Sequence, residues 1–125
     1  MVDNHGIKVK VSTQYLEIES SPKQNHYVFS YTITIRNTGT KPAKLMNRHW
    51  VITDDNGLVQ EVEGKGVVGE TPHLQPGEGF QYTSGTHLQT SVGTMRGSYL
   101  FIMDDGTEFH TIVPDFLLST PRVLH

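Results

Sequence analysis

Gly64-Lys65-Gly66-Val67-Val68-Gly69, followed by Glu70-Thr71-Pro72, is the stretch that decides how this chain folds. The first six residues spell Gly-x-Gly-x-x-Gly, a pattern that serves dinucleotides when it opens a helix whose N-terminus faces a pyrophosphate. A helix must therefore follow at once. Pro72 and the Pro76-Gly77 pair follow instead and leave no room for one, and no parallel βαβ unit surrounds the motif. The glycines then read as backbone geometry between extended segments, forming bulges and letting strands approach closely. A narrower alternative stays open: successive amides at Gly64, Gly66 and Gly69 form an anion nest, with Lys65 and Arg48 supplying positive charge.

Just upstream, Leu45 to Thr53 carries apolar residues on both faces, Leu45 and Val51 on one and Met46, Trp50 and Ile52 on the other. That mixture predicts a central strand covered on both sides. Arg48 shares a face with Trp50, and His49 lies opposite. An Arg beside a core Trp must reach the rim, pair with a carboxylate (Glu61, Glu63 or Glu78), or clamp the Gly-rich loop by hydrogen bonds. Asn56-Gly57 predicts a hairpin, since both residues tolerate positive φ, with Leu58 to Val62 returning. Downstream, Pro76-Gly77 suits a type II turn and leads into a strand at Phe80 to Ser84.

The same alternation reaches both ends of the chain. Ile7, Val9 and Val11 form one apolar face, but Leu16 and Ile18 continue it with opposite parity, which predicts a bulge near Gln14. Tyr27, Phe29, Tyr31, Ile33 and Ile35 mark the clearest strand. Met95 to Met103 is another, and Asp105-Gly106 turns it back through Phe109, Thr111 and Val113. Phe116-Leu117-Leu118 reads as an apolar tail that docks, with fraying from Pro121. No window holds a helical period. Short strands separated by turn signals predict one all-β domain over residues 1–125, an antiparallel β-sandwich.

Composition narrows the function classes. With 125 residues, 35% hydrophobic and 18% charged, the chain matches an ordinary globule. A formal charge of −3 with interspersed signs excludes a nucleic-acid footprint. Zero Cys removes disulfides and thiolate chemistry. The polar start Met1 to Gly6 shows no signal peptide, and no apolar run nears the ~20 residues of a membrane helix, so a cytoplasmic protein without membrane insertion is expected.

Candidate chemistry is sparse. His49, His73, His87 and His110 sit at no spacing that places two imidazoles on one metal, so surface imidazoles are expected and no metal site is assigned. Asp54-Asp55-Asn56-Gly57 has its Gly two places early for a calcium loop. Ser84 lies outside a nucleophile elbow. The pairs Asp54/Asp55 and Asp104/Asp105 fall in turns, where solvated carboxylates keep ordinary pKa values. No catalytic residue and no cofactor are assigned, and the chain is read as not an enzyme.

One resemblance rests on several motifs in order: Arg48-His49-Trp50, Gly64-x-Gly66-Val67-Val68-Gly69, Pro76-Gly77-Glu78, Phe80-x-Tyr82-x-Ser84-Gly85 and Gly93-x-Met95-x-Gly97-x-Tyr99. Through these the chain resembles the ApaG family, also called CorD, from about Ile7 to the C-terminus. The resemblance implies a fibronectin type III-like sandwich. It also implies a link to cobalt tolerance and magnesium efflux, and a gene neighbourhood that includes a diadenosine tetraphosphate hydrolase. Similar domains are appended to unrelated eukaryotic proteins, which implies an interaction module with an unidentified protein partner. The alternative is a binder of pyrophosphate or nucleoside polyphosphates through the Gly64–Gly69 loop. Divalent-cation sensing through converging His and Asp side chains, which the family's link to cobalt implies, is the third.

Overall fold

Alternating apolar and polar residues become eight antiparallel strands in the computed structural model, which describes residues 5–121. The expectations placed on Met1 to Asn4 and on the chain after Pro121 lie outside them. The strands are β1 (Ile7–Tyr15), β2 (Tyr27–Asn37), β3 (Ala43–Asp54), β4 (Val59–Lys65), β5 (His73–Leu74), β6 (Gly79–Leu88), β7 (Val92–Met103) and β8 (Glu108–Ser119). One sheet has the order β1-β2-β6; the other runs β4-β3-β7-β8, with β5 pairing to β3. The two sheets face one another as the sandwich the alternation predicts, in the strand order of a fibronectin type III-like fold. The sole helical turn among the described residues is a 3-10 turn at Pro22–Gln24. No helix there is long and apolar enough to cross a membrane.

The inward faces merge into a single core. Phe29, Ile33 and Ile35 from β2 meet Leu45 and Trp50 from β3 and Met95, Tyr99 and Phe101 from β7, all almost fully buried. Trp50 sits at the centre, edge-on to Tyr31, Tyr99 and Phe116 at centroid distances of 5.7, 5.8 and 5.9 Å. Such edge-to-face contacts suit the ring quadrupoles and add to the area Trp50 buries.

Three expectations about parity are corrected by the register. β1 pairs with β2 without a break from Ile7↔Asn37 to Tyr15↔Phe29, so it carries no bulge near Gln14. The apolar residues beyond it leave the strand: Leu16 donates its N–H to Val28 O, and Ile18 is fully exposed. The bulge lies in β3 instead, where Leu45 faces Phe101 and Asn47 faces Leu100, leaving Met46 as the extra residue. That insertion brings Ala43 and Leu45 onto the same inner face as Trp50 and Ile52. The strand is covered on one side, not two. Phe116-Leu117-Leu118 is not a docked tail but the end of β8, re-aimed by a second irregularity opposite Arg96, where Pro114 and Asp115 take up the extra residue.

The turns also differ from the simplest reading. At Asn56-Gly57 only Gly57 has positive φ, and Asp54 N–H donates to Leu58 O across a three-residue loop. Asp54 is buried, not solvated, and its Oδ1 accepts the amides of Asn56 and Leu58. Met103 and Thr107 close the same kind of loop, with Gly106 in the left-handed position. A hairpin with both central residues at positive φ does occur, but at Val68 and Gly69.

Candidate functional site

The β3–β4 hairpin and the loop that follows β4 carry every residue that the sequence nominates for binding. On its inner face, beside Trp50, Arg48 lies opposite Gly64. Its Nη1 donates to Lys65 O at 3.2 Å and Gly66 O at 3.0 Å, so the guanidinium clamps the Gly-rich loop. Glu61 and Glu63 occupy the other face of β4, and Glu78 Oε1 accepts Gln75 N–H, so none of the three carboxylates is the partner of Arg48.

The loop consumes several of the amides that a nest would offer. Gly66 N–H donates to Met46 O at 2.7 Å; Val67 N–H donates to Glu70 O and Glu70 N–H to Val67 O. These last two bonds close a two-residue turn with Val68 at φ 43° and Gly69 at φ 82°. No helix begins at Val67 or Val68. At Gly66, φ is +66° and a Cβ would lie 2.2 Å from Glu70 O, so the motif's second glycine is required by backbone packing. Gly64, Lys65 and Gly66 meet Arg48 as a cross-braced corner of the sandwich, whereas Gly69 lies apart at the exposed tip of the turn.

Beneath that corner the sheets part. A cleft of about 260 Å³ opens between β4 and β6, with Arg48, Trp50 and Val62 on one side and Tyr31 and Ser84 to His87 on the other. Gln60 Nε2 spans it to His87 O at 3.2 Å. The buried Trp50 Nε1 has no hydrogen-bond partner among the described residues. Deeper in, the Tyr82 and Tyr99 hydroxyls hydrogen-bond one another across the two sheets. Burial raises both pKa values well above the ordinary tyrosine range.

The outer face of the same hairpin holds a depression of about 300 Å³. His49, Glu61 and Glu63 converge in it, each offering one donor atom within 4.8 Å of the others. His49 Nε2 lies 2.8 Å from Glu61 Oε1. Asn47, Ser98, Leu100 and His110 line the same hollow. Sequence spacing misses this group because its donors come from two strands. The signal that finds it is the hairpin itself, which sets His49 opposite Glu63. His73 and His87 lie apart: His73 pairs with Asp104 at 2.8 Å, and His87 packs on His26.

Comparison with known proteins agrees with this architecture. The profile of the ApaG domain matches residues 17–103. Protein ApaG of Azoarcus sp. (strain BH72) is 56% identical over 123 residues, which span 98% of this chain and 97% of that protein. The chain belongs to the ApaG family. Protein ApaG of Dechloromonas aromatica (strain RCB) is 51% identical over the same shares of the two chains. A crystal structure of a Bordetella pertussis protein named ApaA superposes with a TM-score of 0.93 at 47% identity, covering 98% of this chain and 100% of the other. The ApaG match contains both faces of the β3–β4 hairpin but stops before β8, although β8 completes the second sheet.

Proposed function

We propose that this ApaG domain is a non-catalytic, cytoplasmic interaction module that engages a protein partner along β4 and the loop that follows it. The observation that carries the reading is where apolar side chains remain in solvent. Of the seven large exposed hydrophobics among the described residues, Leu58, Val59, Val62 and Val68 lie on this strand, its entry and its loop. β4 is also a sheet edge, paired only to β3. Such an edge offers backbone groups and side chains to an added strand, and a clamped hairpin presents them with little entropy to lose. In this reading the chain contributes to cobalt tolerance and magnesium efflux, as the resemblance implies, by holding a partner and not by turning over a substrate.

Cytosol passed over immobilised wild-type protein and over a Val59→Lys, Val62→Lys variant tests it. The expected result is a protein retained by the wild type and released by the variant, whose melting temperature stays unchanged. Identical retention by both overturns the proposal. The pyrophosphate or nucleoside-polyphosphate alternative has less support. The amides of Gly66, Val67 and Glu70 and the Arg48 guanidinium already have partners, which leaves it chiefly Lys65 and the turn-tip amides of Val68 and Gly69.

A further inference from the structure

We infer that His49, Glu61 and Glu63 form a site for a divalent first-row transition cation on the outer face of the β3–β4 hairpin. Three donors of matched chemistry, one imidazole nitrogen and two carboxylates, come within 4.8 Å of one another. Bonds of roughly 2.0–2.2 Å to a shared ion place such donors roughly 3.4 Å apart. Rotation of two exposed glutamate side chains covers the difference, while the backbone is held by the register His49↔Glu63 and Val51↔Glu61. His49 leans to the diagonal Glu61 at 2.8 Å, and Glu63 has no hydrogen-bond or ion-pair partner among the described residues. Two carboxylates thus face one imidazole, and only one of them is hydrogen-bonded to it. A dication between them balances both and takes the Nε2 lone pair, with the imidazole proton on Nδ1.

The donor set selects the class of ion. Calcium and magnesium prefer all-oxygen shells, whereas an imidazole with carboxylates suits zinc and its neighbours. Three protein donors leave coordination positions open, and Asn47, Ser98 and His110 surround them in the same depression. The site shares the outer face of β4 with Val59 but uses the carboxylates of Glu61 and Glu63, not the unpaired backbone edge of that strand proposed for the partner.

His73 and Asp104 supply an internal control: the same 2.8 Å imidazole–carboxylate contact, similarly exposed, with no third donor gathered beside it among the described residues. Zinc chloride is titrated into protein labelled for imidazole nitrogen resonances. The expected result is a saturable shift of His49 Nε2 that calcium does not reproduce, with His73 unmoved. Glu63→Gln keeps the His49–Glu61 hydrogen bond and is expected to weaken zinc on the order of tenfold or more, without changing the melting temperature in chelator. Equal shifts at His73, competition by calcium, or wild-type zinc affinity in Glu63→Gln each overturn the assignment.

Discussion

At the scale of single residues, the Gly-rich corner contains one side chain in a conformation its chemistry resists. Val68 has φ 43°, where a β-branched residue crowds its own backbone. Both central residues of its turn need positive φ, and Asn-Gly is the pair that adopts this most readily. Val68 is more than half exposed, so no core contact of its own explains the choice. Val68→Asn is therefore expected to stabilise the fold by about 1 kcal/mol, read as a higher urea midpoint at unchanged slope. A lower midpoint would mean that the turn carries no such strain. If β4 and its loop bind a partner, the same substitution removes apolar surface and weakens that binding while the fold gains stability. Stability and binding would then move in opposite directions.

At the scale of elements, the turn-and-strand pattern was legible because period two and turn chemistry are local. Tyr27 to Ile35 face the core as alternation demands, and Pro72 rightly excluded a helix after the glycines. Parity was less legible. An apolar set that changes face looks the same in sequence whether the strand bulges or ends, and Leu16 and Ile18 mark an ending whereas Met46 marks a bulge. The Arg48 clamp could be listed among its options, but choosing it needed the loop's path. The His49 cluster escaped spacing rules because register, not chain distance, assembles it. How β3 and β7 approach is equally non-local. Trp50 is opposite Gly97, and a Cβ there would lie 2.2 Å from His49 O and 2.5 Å from Trp50 Cε3. Neither the backbone nor a ring packed against three aromatic neighbours has space to yield. Gly97→Ala is expected to cost ~3 kcal/mol or more, with loss of the near-ultraviolet circular dichroism of Trp50 in the folded state. Retention of both stability and signal would show that the two strands can separate at this point.

For the whole molecule, the question is what ties one sheet to the other besides apolar contact. Tyr82 belongs to β6 in one sheet and Tyr99 to β7 in the other, and their hydroxyls meet inside the core. Burial disfavours the phenolate, pushing Tyr82 from 10.0 up to about 12 and Tyr99 up as well. Below pH 10 the tyrosines are neutral in folded and unfolded chains alike, and the full stability is present. Above pH 10 the unfolded chain releases protons that the folded chain retains, so stability falls as pH rises toward the folded value of about 12. Each such tyrosine contributes a slope of up to about 1.4 kcal/mol per pH unit in that window. Tyr82→Phe removes one titrating group and leaves the Tyr99 hydroxyl without its partner, so it lowers stability at neutral pH by roughly 1–3 kcal/mol. Its slope, not its absolute stability, reports the linkage. Denaturant midpoints of both proteins are expected to be level from pH 7 to 9, and above pH 10 the variant should decline less steeply. Parallel declines would mean that Tyr82 ionises as freely in the folded chain as in the unfolded one, and that its hydroxyl is open to water between the sheets.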